Sequence, residues 1–165
     1  RTSNEVISFT DRLQGEQSQQ LESESGDFII RRRDGLIAYQ LAVVVDDAVQ
    51  GVTEIVRGID IMDSTPRQIW LQRLLGYPPP DYAHLPVITH PDGDKLSKLT
   101  GAPGIPVDEV RPTLTRALAA LQQTPPDDLA ASSLDDVWKW AKENWKIQAM
   151  QGLKTIREDR LPQTA

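Results

Sequence analysis

The 165-residue sequence contains no cysteine and only two histidines, His84 and His90. Without thiols there is no disulfide framework and no thiolate metal site, and two isolated imidazoles do not make a metal site by themselves. No metal is therefore expected within the chain. Long hydrophobic runs are also missing. The longest, residues 41–45, is followed at once by Asp46 and Asp47, so nothing approaches a bilayer span, and no charged-then-apolar leader opens the sequence. Positive charge is in short supply as well. A net charge of −6 argues against indiscriminate nucleic-acid binding, which depends on neutralising phosphates, but leaves room for a local basic patch such as Arg31, Arg32 and Arg33. An ordinary charged strand end explains that triplet equally well. A soluble, cytoplasmic, monomeric protein is the expectation.

What is present is enough for a folded chain. Apolar residues make up 39% and fall into periodic segments, which a disordered tail would not show. Val6, Ile7 and Phe9 suggest a short strand. Residues 15–26 are almost all Gln, Glu, Ser and Gly and read as a solvated loop, so residues 1–26 as a whole are expected to be an extended linker. Residues 27–30 suggest a strand that turns at Asp34-Gly35. Residues 36–47 are ambiguous, since Val43-Val44-Val45 favours a strand while the length suits a buried helix. Residues 52–56 read as a strand. A helix follows with Thr65 as N-cap, Pro66 in its first turn, Gln68 completing a capping box, and Gly76 with Pro78 as the stop. Residues 84–89 read as a further strand, so strand, helix and strand in that order predict a parallel α/β unit.

A junction is expected in the Gly- and Pro-rich stretch near residue 103. Beyond it, residues 104–156 should form a small helical appendage. One helix starts at Pro112 and carries Leu114, Ala117, Leu118 and Leu121. Another starts at Ser132 or Ser133 and carries Leu134, Val137, Trp138, Ala141 and Trp145 as interhelical contacts. Residues 157–165 are polar and should fray.

Two groups of residues invite chemistry. Lys95, Ser97 and Lys98 lie in a loop directly after a candidate strand, where cations suit developing phosphate charge, although such loops are commonly plain surface. Arg57 with Tyr39 could grip a carboxylate through a guanidinium fork and a phenol. The plainer alternative pairs Arg57 with Asp60 or Asp63 and puts Tyr39 in the core. Adjacent carboxylates such as Asp46 and Asp47 do not face each other, so they do not suggest an acid/base pair. His84, among apolar neighbours, reads as a satisfied structural histidine, and His90 sits in a turn.

Taken in order, residues 34–47 (DGLIAYQLAVVVDD), 51–58 (GVTEIVRG), 64–69 (STPRQI), 84–86 (HLP) and 95–98 (KLSK) resemble the glutamyl-tRNA synthetase family. The resemblance spans roughly residues 27–101. It implies the second half of a Rossmann-type class I catalytic domain in residues 27–103, followed by the helical appendage, and it implies that residues 39–47 are mostly helical. It also implies that Tyr39 and Arg57 contact glutamate, and that residues 95–99 form the lysine-rich KMSKS-type loop, with Lys98 meeting the phosphates of ATP. Leu99 departs from the polar or basic residue usual at that loop's fifth position. ATP with Mg²⁺, L-glutamate and a tRNA are the implied partners; nothing in the sequence identifies the Mg²⁺ ligands.

The short stretch after Lys98 resembles the shortened branch of the family, which transfers activated glutamate to the queuosine of tRNA(Asp). An ordinary synthetase fragment charging tRNA(Glu) and a non-catalytic nucleotide- or tRNA-binding module are the alternatives. The family's His-x-Gly-His signature and its cysteine-containing zinc segment are absent from these residues, so half an active site is expected here.

Overall fold

The computed structural model describes residues 1–97, 99, 101–102, 104–106 and 108–161. The chain divides into two compact units, Arg1–His84 and Leu85–Ala165. The division falls before the junction expected near residue 103, and residues 84–89, which the sequence suggested were a single strand, are split between two strands that end and begin either side of Pro86.

The first unit is built on a four-stranded sheet in which the strands, numbered along the chain as β1 (Val6–Asp11), β2 (Gly15–Gln20), β3 (Glu54–Gly58) and β4 (Asp81–Leu85), lie in the order β2-β1-β4-β3. Strand β1 (Val6–Asp11) pairs antiparallel with β2 (Gly15–Gln20), in a register running from Val6 opposite Gln20 to Asp11 opposite Gly15. The polar residues 15–20 are therefore a strand and not a linker. They occupy the sheet edge, where one partner strand suffices and hydrophilic side chains discourage further pairing. Leu21, at the start of the short helix α1 (Leu21–Glu24), anchors the hairpin in a core cluster with Ile7, Ile69 and Tyr82, against which Phe9, Ile55 and Trp70 pack. Residues 27–30 form no strand; Arg31 and Ile37 make a single antiparallel bridge around the turn that Gly35 closes at φ +88°.

Helix α2 (Tyr39–Gln50) confirms the helical reading of the valine run. Val44 is buried, and Gly51 at φ +70° ends the helix by sending its N–H and that of Val52 back to the last turn. Packing against the helix Thr65–Leu75 and this left-handed cap override the β preference of three consecutive valines. Strand β3 (Glu54–Gly58) leads through a 3-10 segment, Ile59–Ser64, into α3 (Thr65–Leu75), and then to β4 (Asp81–Leu85), the neighbour of β3 in the sheet. β4 runs parallel to β1, with Asp11 opposite Tyr82.

In the second unit β5 (Val87–Thr89) pairs in parallel with β6 (Thr155–Arg157). Of the polar stretch expected to fray, Arg157 is thus paired in the sheet and residues 158–160 form a 3-10 turn, while residues 162–165 lie outside the described residues. The β5 edge supplies backbone partners, and the Glu158 carboxylate sits 2.5 Å from His90 Nδ1. Helix α4 (Val110–Ala120) begins two residues before Pro112, which falls in its first turn, where proline is tolerated. Helix α5 (Leu134–Asn144) starts at Ser133, whose hydroxyl oxygen accepts the N–H of Asp136 at 3.1 Å. Leu118, Leu129, Val137 and Ala141 form this unit's core. Trp138 and Trp145 are not the interhelical core contacts expected of them: both are about half exposed, and they line an apolar cleft of about 390 Å³ beside Leu114, Leu118 and Leu121.

Candidate functional site

The densest polar arrangement in the first unit surrounds Arg57. β3 carries Arg57 past the start of α3 and the end of β4, where three side chains meet it. Its Nε–H donates to His84 Nε2 at 3.0 Å and its Nη2 to the Thr65 hydroxyl at 2.7 Å, and Thr65 Oγ1 lies 3.2 Å from the same His84 nitrogen. The guanidinium carbon sits 5.5 Å from the centroid of Tyr82. Arg57 therefore does not make the Asp60 or Asp63 pairing that the sequence left open as its plain alternative among the described hydrogen bonds.

His84 is fully buried, and its Nδ1 lies 2.6 Å from Asp11 Oδ2. The other oxygen of Asp11 accepts the backbone N–H groups of Leu13, Gln14 and His84 at 2.9, 2.9 and 3.2 Å. Burial works to raise the Asp11 pKa, but the bond from His84 and these backbone donors outweigh it and hold the carboxyl below its ordinary value. His84 is pushed below the ordinary imidazole value, first by burial and also by the Arg57 charge, against the pull of Asp11 and Asp60. It is a neutral, fully partnered histidine, as its apolar neighbours suggested.

Around this centre runs a second set of bonds. Gln40 donates to Ser64 at 2.8 Å, and Gln68 donates to Gln40 at 2.8 Å. The capping box predicted at α3 does not form. The helix starts one residue earlier than expected, Ser64 occupies the N-cap position without a side-chain cap bond, and Thr65 and Gln68 turn into these networks instead. Tyr39, in the first turn of α2, is 55% exposed and so is not a core tyrosine. Its chain neighbour Gln40 bonds Ser64, and Ser64's chain neighbour Thr65 bonds Arg57. Asp47 feels the Arg57 charge too, yet burial dominates and raises its pKa, with a smaller push from Asp46.

The loop residues belong to the second unit. Lys95 bridges Thr89 across the turn at Pro91-Asp92-Gly93, Leu96 N–H donates to Ile88 O at 2.8 Å, and the Ser97 carbonyl accepts from Ala102 at 3.0 Å. Leu99 is 99% exposed. Lys98 lies outside the described residues. Of the arginine triplet, Arg31 and Arg32 are engaged within their own turn, through Gly35 O and Asp34 respectively. Among the described residues no cluster of carboxylates and histidines could hold a metal ion, and no helix is long and apolar enough to cross a membrane. Sequence reasoning missed Asp11, Gln40 and Tyr82 as members of the site. The one available signal was His84 itself, since a histidine inside an apolar run needs a buried partner.

Residues 1–112 match the catalytic domain of the class I tRNA synthetases (E and Q), and the chain belongs to that family. It is 52% identical to the glutamyl-Q tRNA(Asp) synthetase of Ectopseudomonas mendocina (strain ymp) over 93% of this chain and 52% of the relative. It is 56% identical to the protein of that name from Dechloromonas aromatica (strain RCB) over 86% of this chain and 47% of the relative. The chain thus spans about half the length of the curated relatives it matches. Its fold is that of the glutamate-tRNA synthetase from Elizabethkingia anophelis, with a TM-score of 0.68 at 21% identity over 95% of this chain and 35% of that one. A glutamate tRNA ligase from Elizabethkingia meningosepticum CCUG26117, solved in complex with its amino acid, gives a TM-score of 0.69 at 22% identity over 93% and 34%. The Rossmann-type α/β class expected from the sequence is the fold observed.

Proposed function

We propose that the protein carrying this chain activates L-glutamate with ATP and transfers it to the queuosine of tRNA(Asp). The observation that carries the proposal is the 52% identity, over 93% of the chain, to relatives named for that activity. The geometry suits it. A guanidinium already fixed through Nε and Nη2 loses little further freedom when it binds a carboxylate, and Tyr39 offers an exposed phenol in the first turn of α2.

In the first step an oxygen of the glutamate α-carboxylate attacks the α-phosphorus of ATP. The bond to the bridging oxygen breaks and pyrophosphate leaves, giving glutamyl-adenylate. In the second step a nucleophile on the queuosine takes the glutamyl group and AMP departs. Arg57 and Tyr39 hold glutamate in this scheme, while Lys98 and Lys95, with Ser97, offset phosphate charge. Mg²⁺ accompanies ATP as part of the substrate.

The test is transfer of radiolabelled glutamate by the full-length protein to tRNA(Asp) with and without queuosine, beside tRNA(Glu). Label confined to queuosine-containing tRNA(Asp) is the expected result. Label on tRNA(Glu) would make the protein an ordinary synthetase, and no label on any tRNA would favour a non-catalytic module.

A further inference from the structure

Arg57 is bonded to a group that can accept its proton in only one of two tautomers. An imidazole with its proton on Nε2 would set N–H against N–H at the 3.0 Å contact with Arg57 Nε, because a guanidinium only donates. Asp11 removes that possibility. One of its oxygens already takes three backbone N–H groups, which marks it as a carboxylate, and so the proton in the 2.6 Å contact belongs to His84 Nδ1. Nε2 is left as a bare acceptor facing Arg57 and the Thr65 hydroxyl. Thr65 receives Arg57 Nη2–H at 2.7 Å, so its own proton is free to turn toward His84. Tyr82 closes the remaining face: its ring lies 14° from parallel with His84, at a centroid distance of 6.1 Å, and its other neighbours are Phe9 and the Arg57 guanidinium. The imidazole is fully buried and is held on both nitrogens.

We infer that Asp11 and His84 are positioning residues for Arg57: the Asp11 carboxylate selects the Nδ1–H tautomer of His84, whose bare Nε2 aims the guanidinium at a carboxylate of the substrate. A buried Asp–His pair with only a structural task would tolerate either tautomer if its outer partner were a hydroxyl or water. A guanidinium partner does not. The inference rests on the proposed role of Arg57 in binding glutamate, and it assigns a task to a residue in the hairpin that precedes the family's recognisable strings. The charged and titratable groups facing His84 are Asp11 on β1, Arg57 on β3, Asp60 in the 3-10 segment and Tyr82 on its own strand.

The test uses Asp11→Asn in the full-length protein. An asparagine amide can donate to His84 Nδ1, which moves the imidazole proton to Nε2 and against Arg57. In glutamate-dependent ATP–pyrophosphate exchange, the KM for glutamate should rise roughly ten- to a hundredfold, the scale of one charge-assisted hydrogen bond, while the KM for ATP stays within about twofold. His84→Gln, which keeps a carbonyl acceptor and has no tautomer to select, should show a smaller rise. Nitrogen-15 NMR of the wild-type imidazole should show the neutral Nδ1–H form and a slowly exchanging Arg57 Nε–H, and both should be lost in Asp11→Asn. A folded Asp11→Asn protein with unchanged glutamate KM, measured beside an Arg57→Ala protein whose KM has risen, overturns the inference. If Arg57→Ala leaves the glutamate KM unchanged, the role of Arg57 in glutamate binding is what fails, and the NMR then decides the positioning alone. A wild-type Nε2–H tautomer refutes it, including where Asp11→Asn does not fold.

Discussion

The hairpin β1–β2 gives the sharpest test of the fold, because its composition and its structure make opposite statements about residues 15–24. If these residues are a solvated linker, Leu21 is an isolated apolar residue whose removal costs nothing. In the structure it is 1% exposed and packs with Ile7, Ile69 and Tyr82. Leu21→Ala removes three buried carbons from a site where hairpin, helix and sheet converge. Substitutions of this kind cost about 2–5 kcal/mol depending on how far the site can collapse. About 3 kcal/mol is expected here, since the backbone before Leu21 is held by the pairing of β2 and the backbone after it by α1, which limits how far the gap can close. A two-stranded hairpin has almost no stability of its own, so the loss should appear directly in its opening equilibrium. Native-state hydrogen exchange of the β1 and β2 amides should accelerate by roughly a hundredfold, at about 1.4 kcal/mol per decade. Val49→Ala, on an exposed face of α2, is the matched control and should change exchange by less than about threefold, as for an ordinary surface substitution. A similarly small change in Leu21→Ala, or β2 amides exchanging in the wild type as fast as an unstructured peptide, would refute the packing described.

The buried pair predicts acid sensitivity in two stages. His84 has a folded pKa below its unfolded value of 6.5, so as pH falls below about 6.5 the unfolded chain takes up a proton that the folded chain refuses, and stability declines. Asp11 is also depressed, so its contribution, complete above about pH 3.8, is lost as pH falls through its folded value. The urea midpoint should therefore drop between pH 7.5 and 5.5 in the wild type and much less in His84→Gln; a flat wild-type profile would contradict the assignment. Ser133→Ala should cost about 1 kcal/mol through loss of the α5 cap, measured by urea unfolding of the second unit, and a loss below a few tenths would mean that the cap contributes nothing. Lys98→Ala in the full-length protein should lower glutamate-dependent pyrophosphate exchange by roughly 10²–10³, as for loss of one charge-stabilising group, and an unchanged rate would remove Lys98 from the proposed chemistry.

What could be read from the sequence depended on whether the deciding physics was local. The end of α3 was legible because Gly76 reaches φ +71° without strain, and the start of α5 because Ser133 caps its own helix. Helix α2 was undecidable from Val43, Val44 and Val45 alone and became readable only through resemblance, because its outcome rests on packing against α3. Strand β2 was illegible: an edge strand buries little, and its pairing with β1 leaves no hydrophobic trace in Glu, Gln and Ser. The Arg57 centre was half legible. Arg57 and Tyr39 stood within recognisable strings, whereas Asp11 lies 73 positions from His84 and no local pattern links them. Thr65 shows why the remainder was misread. Its hydroxyl oxygen accepts from Arg57 Nη2 and lies 3.2 Å from His84 Nε2, so the oxygen that a cap would offer to a backbone N–H of α3 is turned to tertiary contacts instead, and Gln68 follows the same course toward Gln40. A capping box that fails to close although Ser, Thr, Pro and Gln are all in place is thus itself informative. Side chains with a satisfactory local use leave it only for partners that burial makes more costly to abandon, and a fully buried His84 facing a partly buried Arg57, left without partners, would be more costly than one missing side-chain cap bond.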